Sequence, residues 1–117
     1  MKGIGQLTRA QHAGLIREQN DAFRNCPSGG KVKLTFGVLE KFRGVLDELI
    51  SAIISFDDFS EDNDPYGEHD FGCLSFQGEP VFWKIDYYDL DMTGGSPDPA
   101  NPDVTIRMMT VMMAWKY

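Results

Sequence analysis

The chain has few cysteines, no long apolar run and, over nearly half of its length, almost no positive charge. Its apolar stretches, such as residues 111–115, are far shorter than the roughly 20 residues of a membrane-spanning helix. The N-terminus also lacks the apolar core of a secretion signal. These absences indicate a cytoplasmic protein with no membrane partner. Cys26 and Cys73 are the only cysteines and form no CxxC motif, so we expect two reduced thiols, with Cys73 buried in a strand.

Signatures of common enzyme families are absent as well. Neither HExxH nor GxSxG occurs, and residues 29–31 lack the spacing of a phosphate-binding loop. Residues 62–73 partly match a calcium-binding loop, but Cys73 stands where that loop requires a bidentate glutamate. We therefore expect a protein without enzymatic activity, cofactor or metal.

The composition is that of one folded domain. With 117 residues, 42% of them hydrophobic and 25% charged, the chain is long enough to bury a core without disulfides or metals. We expect a single domain over residues 1–117. Residues 1–7 contain two glycines and no periodic pattern, which predicts a flexible lead-in.

The first predicted helix starts at a capping box. Thr8 and Gln11 have the residue types and spacing that satisfy the first backbone N–H groups of a helix. The apolar residues that follow, such as Ile16, recur on one side, while Arg24 belongs to the polar side. This amphipathic pattern predicts a helix that ends near Cys26.

A strand and a second helix are predicted next. Residues 31–36 alternate polar and apolar side chains, which is typical of a half-buried strand. After Gly37 the period becomes helical and continues to about Phe56. The apolar face of this single helix consists of Phe42, Val45, Leu46, Leu49, Ile50, Ile53 and Ile54.

Three more strands are predicted in the second half. Residues 69–77 and 79–88 alternate around a turn at Gln77-Gly78, which indicates a hairpin with its Trp83 face in the core. Residues 104–115 contain many β-branched side chains and follow a proline-rich loop, which favours a final strand. The expected fold is α+β in the order α-β-α-β-β-β, with two helices on one face of a mainly antiparallel sheet of about four strands.

Negative charge is concentrated in the middle of the chain. Residues 51–103 carry thirteen acidic residues and a single cation, Lys84. Such a region repels nucleic acid and attracts a basic protein surface, so we expect no direct binding of nucleic acid. The acids predicted to contact a partner are Asp57, Asp58, Glu61, Asp62 and Asp64, with Asp86, Asp89 and Asp91 as a second group.

Two alternative functions stay open at this stage. Glu68, His69 and Asp70 are consecutive, and the predicted hairpin brings Asp86 near them. A histidine between carboxylates can act as a general acid or base, so one alternative is a small metal-dependent hydrolase or other enzyme that uses these four residues. The other is a general protein-interaction module, either a monomer or a homodimer formed through its last strand.

Three motifs carry a resemblance to a known family. They are NDPYGEHDFG at residues 63–72, FWKIDYYD at residues 82–89 and GSPDP at residues 95–99. The chain resembles a family of small bacterial proteins catalogued as a domain of unknown function and frequent on plasmids and other mobile elements. The resemblance runs from about Leu15 to Ala114 and assigns no catalytic residue.

The resemblance implies a genetic setting. Small acidic proteins of mobile elements often inhibit CRISPR or restriction systems by occupying a basic, nucleic-acid-binding surface. By this analogy we expect a non-enzymatic anti-defence inhibitor, such as an anti-CRISPR, whose partner is a host defence protein with a basic surface.

Overall fold

The computed structural model describes residues 7–26 and 31–116, with only the backbone for Lys116. The helices and strands are, in chain order, α1 (Arg9–Asn25), β1 (Lys31–Leu34), α2 (Phe36–Lys41), α3 (Leu46–Ile54), β2 (Phe71–Phe76), β3 (Glu79–Tyr88) and β4 (Ile106–Met113). Single turns of 3-10 helix, Pro102–Val104 and Ala114–Lys116, precede and follow β4. Of the predicted lead-in, residues 1–6 lie outside the described residues. Within the described part of the chain, every helix is too short or too polar to cross a membrane.

The four strands form one mixed sheet in the order β1-β4-β3-β2. β2 and β3 form the predicted antiparallel hairpin, β3 and β4 are also antiparallel, and β1 runs parallel to β4. The predicted α+β fold with four strands is confirmed, although the parallel pairing of β1 makes the sheet mixed. In the described part of the chain, β3 pairs with the whole length of β4, the strand considered for a homodimer, and β1 covers the other edge of β4 from Met108 to Val111.

Residues 7–26 and 31–116 contain three α-helices where two were expected. Gly44 adopts a φ of 89° in the left-handed region, which glycine reaches without steric cost, and this residue separates α2 from α3. The predicted apolar stripe still faces the core, since Phe42, Leu49 and Ile53 are buried. Phe36 was predicted to end β1, but it begins α2 and is 75% exposed.

α1 begins as predicted. The Thr8 hydroxyl accepts a hydrogen bond from the Gln11 N–H at 3.1 Å, and Gln11 Oε1 accepts one from the Thr8 N–H at 2.9 Å. The buried side of α1 holds Ile16 together with two polar residues, Asn20 and Arg24. The prediction that Arg24 lies on the exposed side was wrong, because its guanidinium is enclosed by backbone carbonyls at the end of α3.

Trp83 forms the centre of the core, as predicted for its face of β3. Its side chain is fully buried, and the rings of Phe56 and Phe59 meet it edge-on at centroid distances of 5.5 and 6.2 Å. Gly72 lies opposite Trp83 on β2 and leaves room for the indole, since a Cβ there would be 2.6 Å from Trp83 Cε2. The next residue, Cys73, points to the other face of the sheet, on which no described helix packs. Cys73 is exposed there, so the prediction of a buried thiol was wrong.

Candidate functional site

His69 lies where α1, the start of β2 and a loop rich in carboxylates meet. We refer to residues 57–64 as the acidic loop. The His69 ring stacks on Phe59 with centroids 3.8 Å apart and 5° between the planes. Its Nδ1 is 2.9 Å from Asp21 Oδ1, and its Nε2 is 3.6 Å from Asp64 Oδ2. Protein groups thus contact both nitrogens and one face of a ring that is 23% exposed.

The backbone at His69 is also held by the acidic loop. Its φ is 54°, a left-handed value that is uncommon for a residue with a side chain. Asp64 Oδ1 accepts a hydrogen bond from the His69 N–H at 3.1 Å. Asp64 is only 9% exposed as a result. Asp64 therefore differs from the other acids of the loop, because its carboxylate makes contacts inside the molecule.

Arg24 connects α1 to the end of α3. Its Nη1 donates to the carbonyl oxygens of Ile53 and Phe56 at 2.9 and 2.7 Å. A cation is favoured at this position because the carbonyl end of a helix is partially negative. Its Nη2 lies 3.3 Å from Asp21 Oδ1, the same oxygen that contacts His69. Arg24 and Asp21 therefore fix the point at which the acidic loop leaves α3.

A second buried polar cluster lies on the other side of Glu68. The amide of Asn20 donates to the Tyr87 hydroxyl at 2.8 Å and to the Glu68 carbonyl at 2.9 Å, and its oxygen accepts from Arg107 Nε at 2.7 Å. The Tyr87 hydroxyl donates to Glu68 Oε1 at 2.9 Å. Burial raises the pKa of Tyr87 above its ordinary value, so the phenol keeps its proton and remains a donor.

Sequence reasoning missed both buried clusters, although each leaves a signal. Asn20 and Arg24 follow Ile16 at intervals of four residues, which places them on the apolar side of α1. Arg107 is the only charged residue within the apolar sequence of β4. A polar residue at a position that the hydrophobic period assigns to the core indicates a buried hydrogen-bond network.

The four residues of the enzyme alternative are divided between the two faces of the sheet. Glu68 bonds to Tyr87 on the helix-covered face, whereas Asp86 pairs with Lys84 at 3.1 Å on the uncovered face. Burial and the charge of Glu68 raise the pKa of Asp70, and Asp86 acts in the same direction. Among residues 7–26 and 31–116, no group of three or more His, Cys, Asp or Glu side chains is arranged to hold a metal ion.

The acidic loop presents four exposed carboxylates in a fixed conformation. They belong to Asp57, Asp58, Glu61 and Asp62. The Asn63 side chain donates to the Asp58 carbonyl at 2.7 Å and accepts from the Ser60 N–H at 2.8 Å. The Asp64 N–H donates to the Ser60 carbonyl at 2.8 Å. Local hydrogen bonds therefore hold the loop, and all four carboxylates stay available to solvent.

The second predicted group of acids lies elsewhere. Asp86 faces the uncovered side of the sheet, and Asp89 and Asp91 belong to the turn after β3. Asp89 accepts a hydrogen bond from the Thr93 N–H at 3.0 Å and shapes that turn, while Asp91 is exposed. The second group thus belongs to β3 and the turn after it, outside the acidic loop.

Comparison with known proteins places the chain in a family. A family model described as "Protein of unknown function (DUF3768)" matches residues 34–116. The chain belongs to the DUF3768 family. The DUF3768 match contains the acidic loop, His69 and strands β2 to β4. Helix α1, which contributes Asp21 and Arg24, precedes the matched residues. A search of curated proteins and a search of solved structures gave no match.

Proposed function

We propose that this protein is a non-enzymatic inhibitor that binds a basic, nucleic-acid-binding surface of a host defence protein through its acidic loop. The observation that carries the proposal is the exposure of four carboxylates on a loop with a fixed conformation. No Lys or Arg occurs in the sequence between Arg43 and Lys84. Arg24, the cation at the start of the loop, contacts Asp21 and backbone carbonyls.

Electrostatics explains why such a loop suits this role. Proteins that bind DNA or RNA line their grooves with Lys and Arg, and these side chains supply much of the affinity for phosphates. A fixed row of carboxylates offers the same groove a competing anion, and opposite charges speed the encounter of the two proteins. Because the loop is already held in place, little conformational entropy is lost on binding.

The genetic setting implied by the resemblance agrees with this role. A mobile element benefits from a small protein that blocks restriction or CRISPR machinery in the cytoplasm of its host. The partner expected from the charge is the nucleic-acid groove of such a machine, and the inhibited step is the binding of DNA or RNA.

The test is an interference assay with charge-reversed variants. Host cells with an active defence system receive a targeted plasmid together with the wild-type protein or with a variant that changes Asp57, Asp58, Glu61 and Asp62 to Lys. A control of equal net charge changes Glu18, Glu40, Asp47 and Asp103, all exposed, to Lys. We expect the wild type and the control to protect the plasmid. The loop variant should give no protection.

A capture experiment identifies the step that is blocked. The partner retained by the tagged wild-type protein should be released by short duplex DNA or RNA, because both compete for one groove. If the wild type gives no protection, the inhibitor function is wrong. If the loop variant protects as well as the wild type, the function stands but the acidic loop is not the contact surface.

A further inference from the structure

β1 is an edge of the sheet. It pairs with β4 on one side, and no strand of the described chain pairs with its other side. Just after β1, the Thr35 N–H donates to the Val111 carbonyl of β4 at 3.1 Å. Alternate residues of a strand direct their backbone groups to opposite sides, so Val32 and Leu34 direct theirs away from β4. The outer side of β1 therefore offers the N–H and C=O groups of these two residues to another strand.

Exposed apolar side chains lie on β1 and on the segments next to its C-terminal end. Six large hydrophobic side chains of the described chain are exposed, and four of them are on β1, on α2 directly after it, or just beyond β4: Val32 (40%), Phe36 (75%), Leu39 (41%) and Trp115 (69%). A cavity of about 530 Å³ between Phe36 and Trp115 reaches Leu34 at the end of β1. Short edge strands and lysines are common ways to protect a sheet edge from pairing with another chain. Such protection does not require exposed apolar side chains beside the edge. The combination indicates a binding surface.

The charges on β1 select the partner. Val32 and Leu34 lie opposite the buried Met109 and Val111, so their side chains share the helix-covered face, and the exposed Lys31 and Lys33 extend from the other face. Pairing of β1 with β1 of a second copy would bring four lysines together, and like charges across a strand pair are unfavourable. A strand with carboxylates opposite the lysines is favoured instead.

We propose that the outer edge of β1 binds an extended acidic segment of a partner protein, which joins the sheet as an additional strand. Alternate apolar side chains of that segment pack along Val32, Leu34 and Phe36, and the carboxylates between them pair with Lys31 and Lys33. Backbone hydrogen bonds supply affinity, and the alternating pockets supply specificity. This surface has the opposite charge to the acidic loop, so it serves a second partner and does not depend on the proposed inhibition.

The probe is a short synthetic peptide in which valine and glutamate alternate, and binding is measured by calorimetry. Two control peptides are used. The first has lysine in place of glutamate, and the second has the same composition with its valines and glutamates in separate blocks. We expect only the alternating acidic peptide to bind the wild-type protein.

Two variants test the proposed geometry. Val32→Pro removes the outward N–H of residue 32 and leaves every hydrogen bond between β1 and β4 intact. The peptide then loses one backbone hydrogen bond, which should weaken its binding about tenfold. Val32→Ile keeps the N–H and the apolar side chain and should bind as the wild type does. The double change Lys31→Glu and Lys33→Glu should weaken binding by about tenfold or more. Its control, Arg9→Glu with Arg43→Glu, alters the net charge equally at exposed positions away from β1 and should retain binding.

Hydrogen exchange on the wild-type protein gives a readout that does not depend on how a substitution affects folding. Bound peptide should slow exchange at the Val32 and Leu34 amides and leave the Lys33 amide, which faces β4, unchanged. The proposal is overturned if the alternating acidic peptide does not bind, if it slows none of these amides, or if the two double charge variants lose binding equally. Self-association through β1 without peptide binding would also overturn it. Variants of the acidic loop should bind the peptide normally, which separates this test from that of the proposed function.

Discussion

The ring of His69 lies parallel to the ring of Phe59 at a centroid distance of 3.8 Å, with Asp21 at one nitrogen and Asp64 at the other. Phe59 and Asp64 belong to the acidic loop, while Asp21 belongs to α1. One side chain thus connects the loop to the helix by an aromatic contact on its face and by polar contacts along its edge. We infer that these contacts help to hold the acidic loop in place.

Replacement of His69 should therefore loosen the acidic loop. We expect His69→Ala to lower the free energy of unfolding by about 1–3 kcal/mol, because the stacking and the contact to Asp21 are lost and alanine is strained at a positive φ. The loop should also be cleaved faster in limited proteolysis. His12→Ala is the control, since His12 is 39% exposed and has a single carboxylate partner, Asp98. Urea unfolding measures both variants, and equal losses would contradict the role given to His69.

Gly72 should be intolerant of any side chain. A Cβ at this position would lie 2.6 Å from Trp83 Cε2 and 2.8 Å from Phe56 Cε1, both within the packed core. We expect Gly72→Ala to lower the free energy of unfolding by about 1–3 kcal/mol, the usual effect of overpacking. Gly94→Ala is a matched control, because the nearest atom to its new Cβ would be Asp89 Oδ2 at 3.7 Å. Chemical denaturation should separate the two variants, and a stable Gly72→Ala protein would show that the Trp83 ring can move.

Asp70 should make stability depend on pH. Burial and the charge of Glu68 raise the pKa of Asp70 above its ordinary value of 3.8, so the folded protein holds this proton more tightly than the unfolded chain. Stability from this group is then highest below pH 3.8 and falls as the pH rises from 3.8 through the raised pKa. In Asp70→Asn this side chain cannot ionise, so the fall in stability with rising pH is absent. The variant should be more stable than the wild type at neutral pH. Unfolding measured over a pH series should show the difference disappear in acid, whereas Asp103→Asn, at an exposed position, should follow the wild type.

Local features of the fold could be predicted from sequence. The capping box of α1 depends on residues three positions apart, and the Trp83 face of β3 follows from a period of two. Gly44 shows the limit of such patterns. A glycine inside a helix costs only about 1 kcal/mol, and the apolar period continues across it, so the pattern alone does not reveal a break.

Tertiary contacts decided the features of the candidate site that sequence missed. A charge count treats Asp64 and Asp62 alike, but contact with His69 buries only the first. The alternation of side chains along β2 predicts which residues share a face with Cys73. Whether Cys73 is exposed depends instead on which face of the sheet the helices cover. The parallel pairing of β1 with β4 joins strands that are not neighbours in the chain, and nothing in either strand alone specifies it.

That pairing also has a consequence for the order of folding. Lys31 lies beside Met108 and Leu34 beside Val111, so β1 meets its partner only after a very long loop has closed. β2 and β3 are joined by the two-residue turn at Gln77-Gly78 and can pair early. The sheet should therefore grow outward from this hairpin, with β1 added last. Its outer edge then exists only in the completed molecule, and a partner that recognises it distinguishes the mature protein from its folding intermediates.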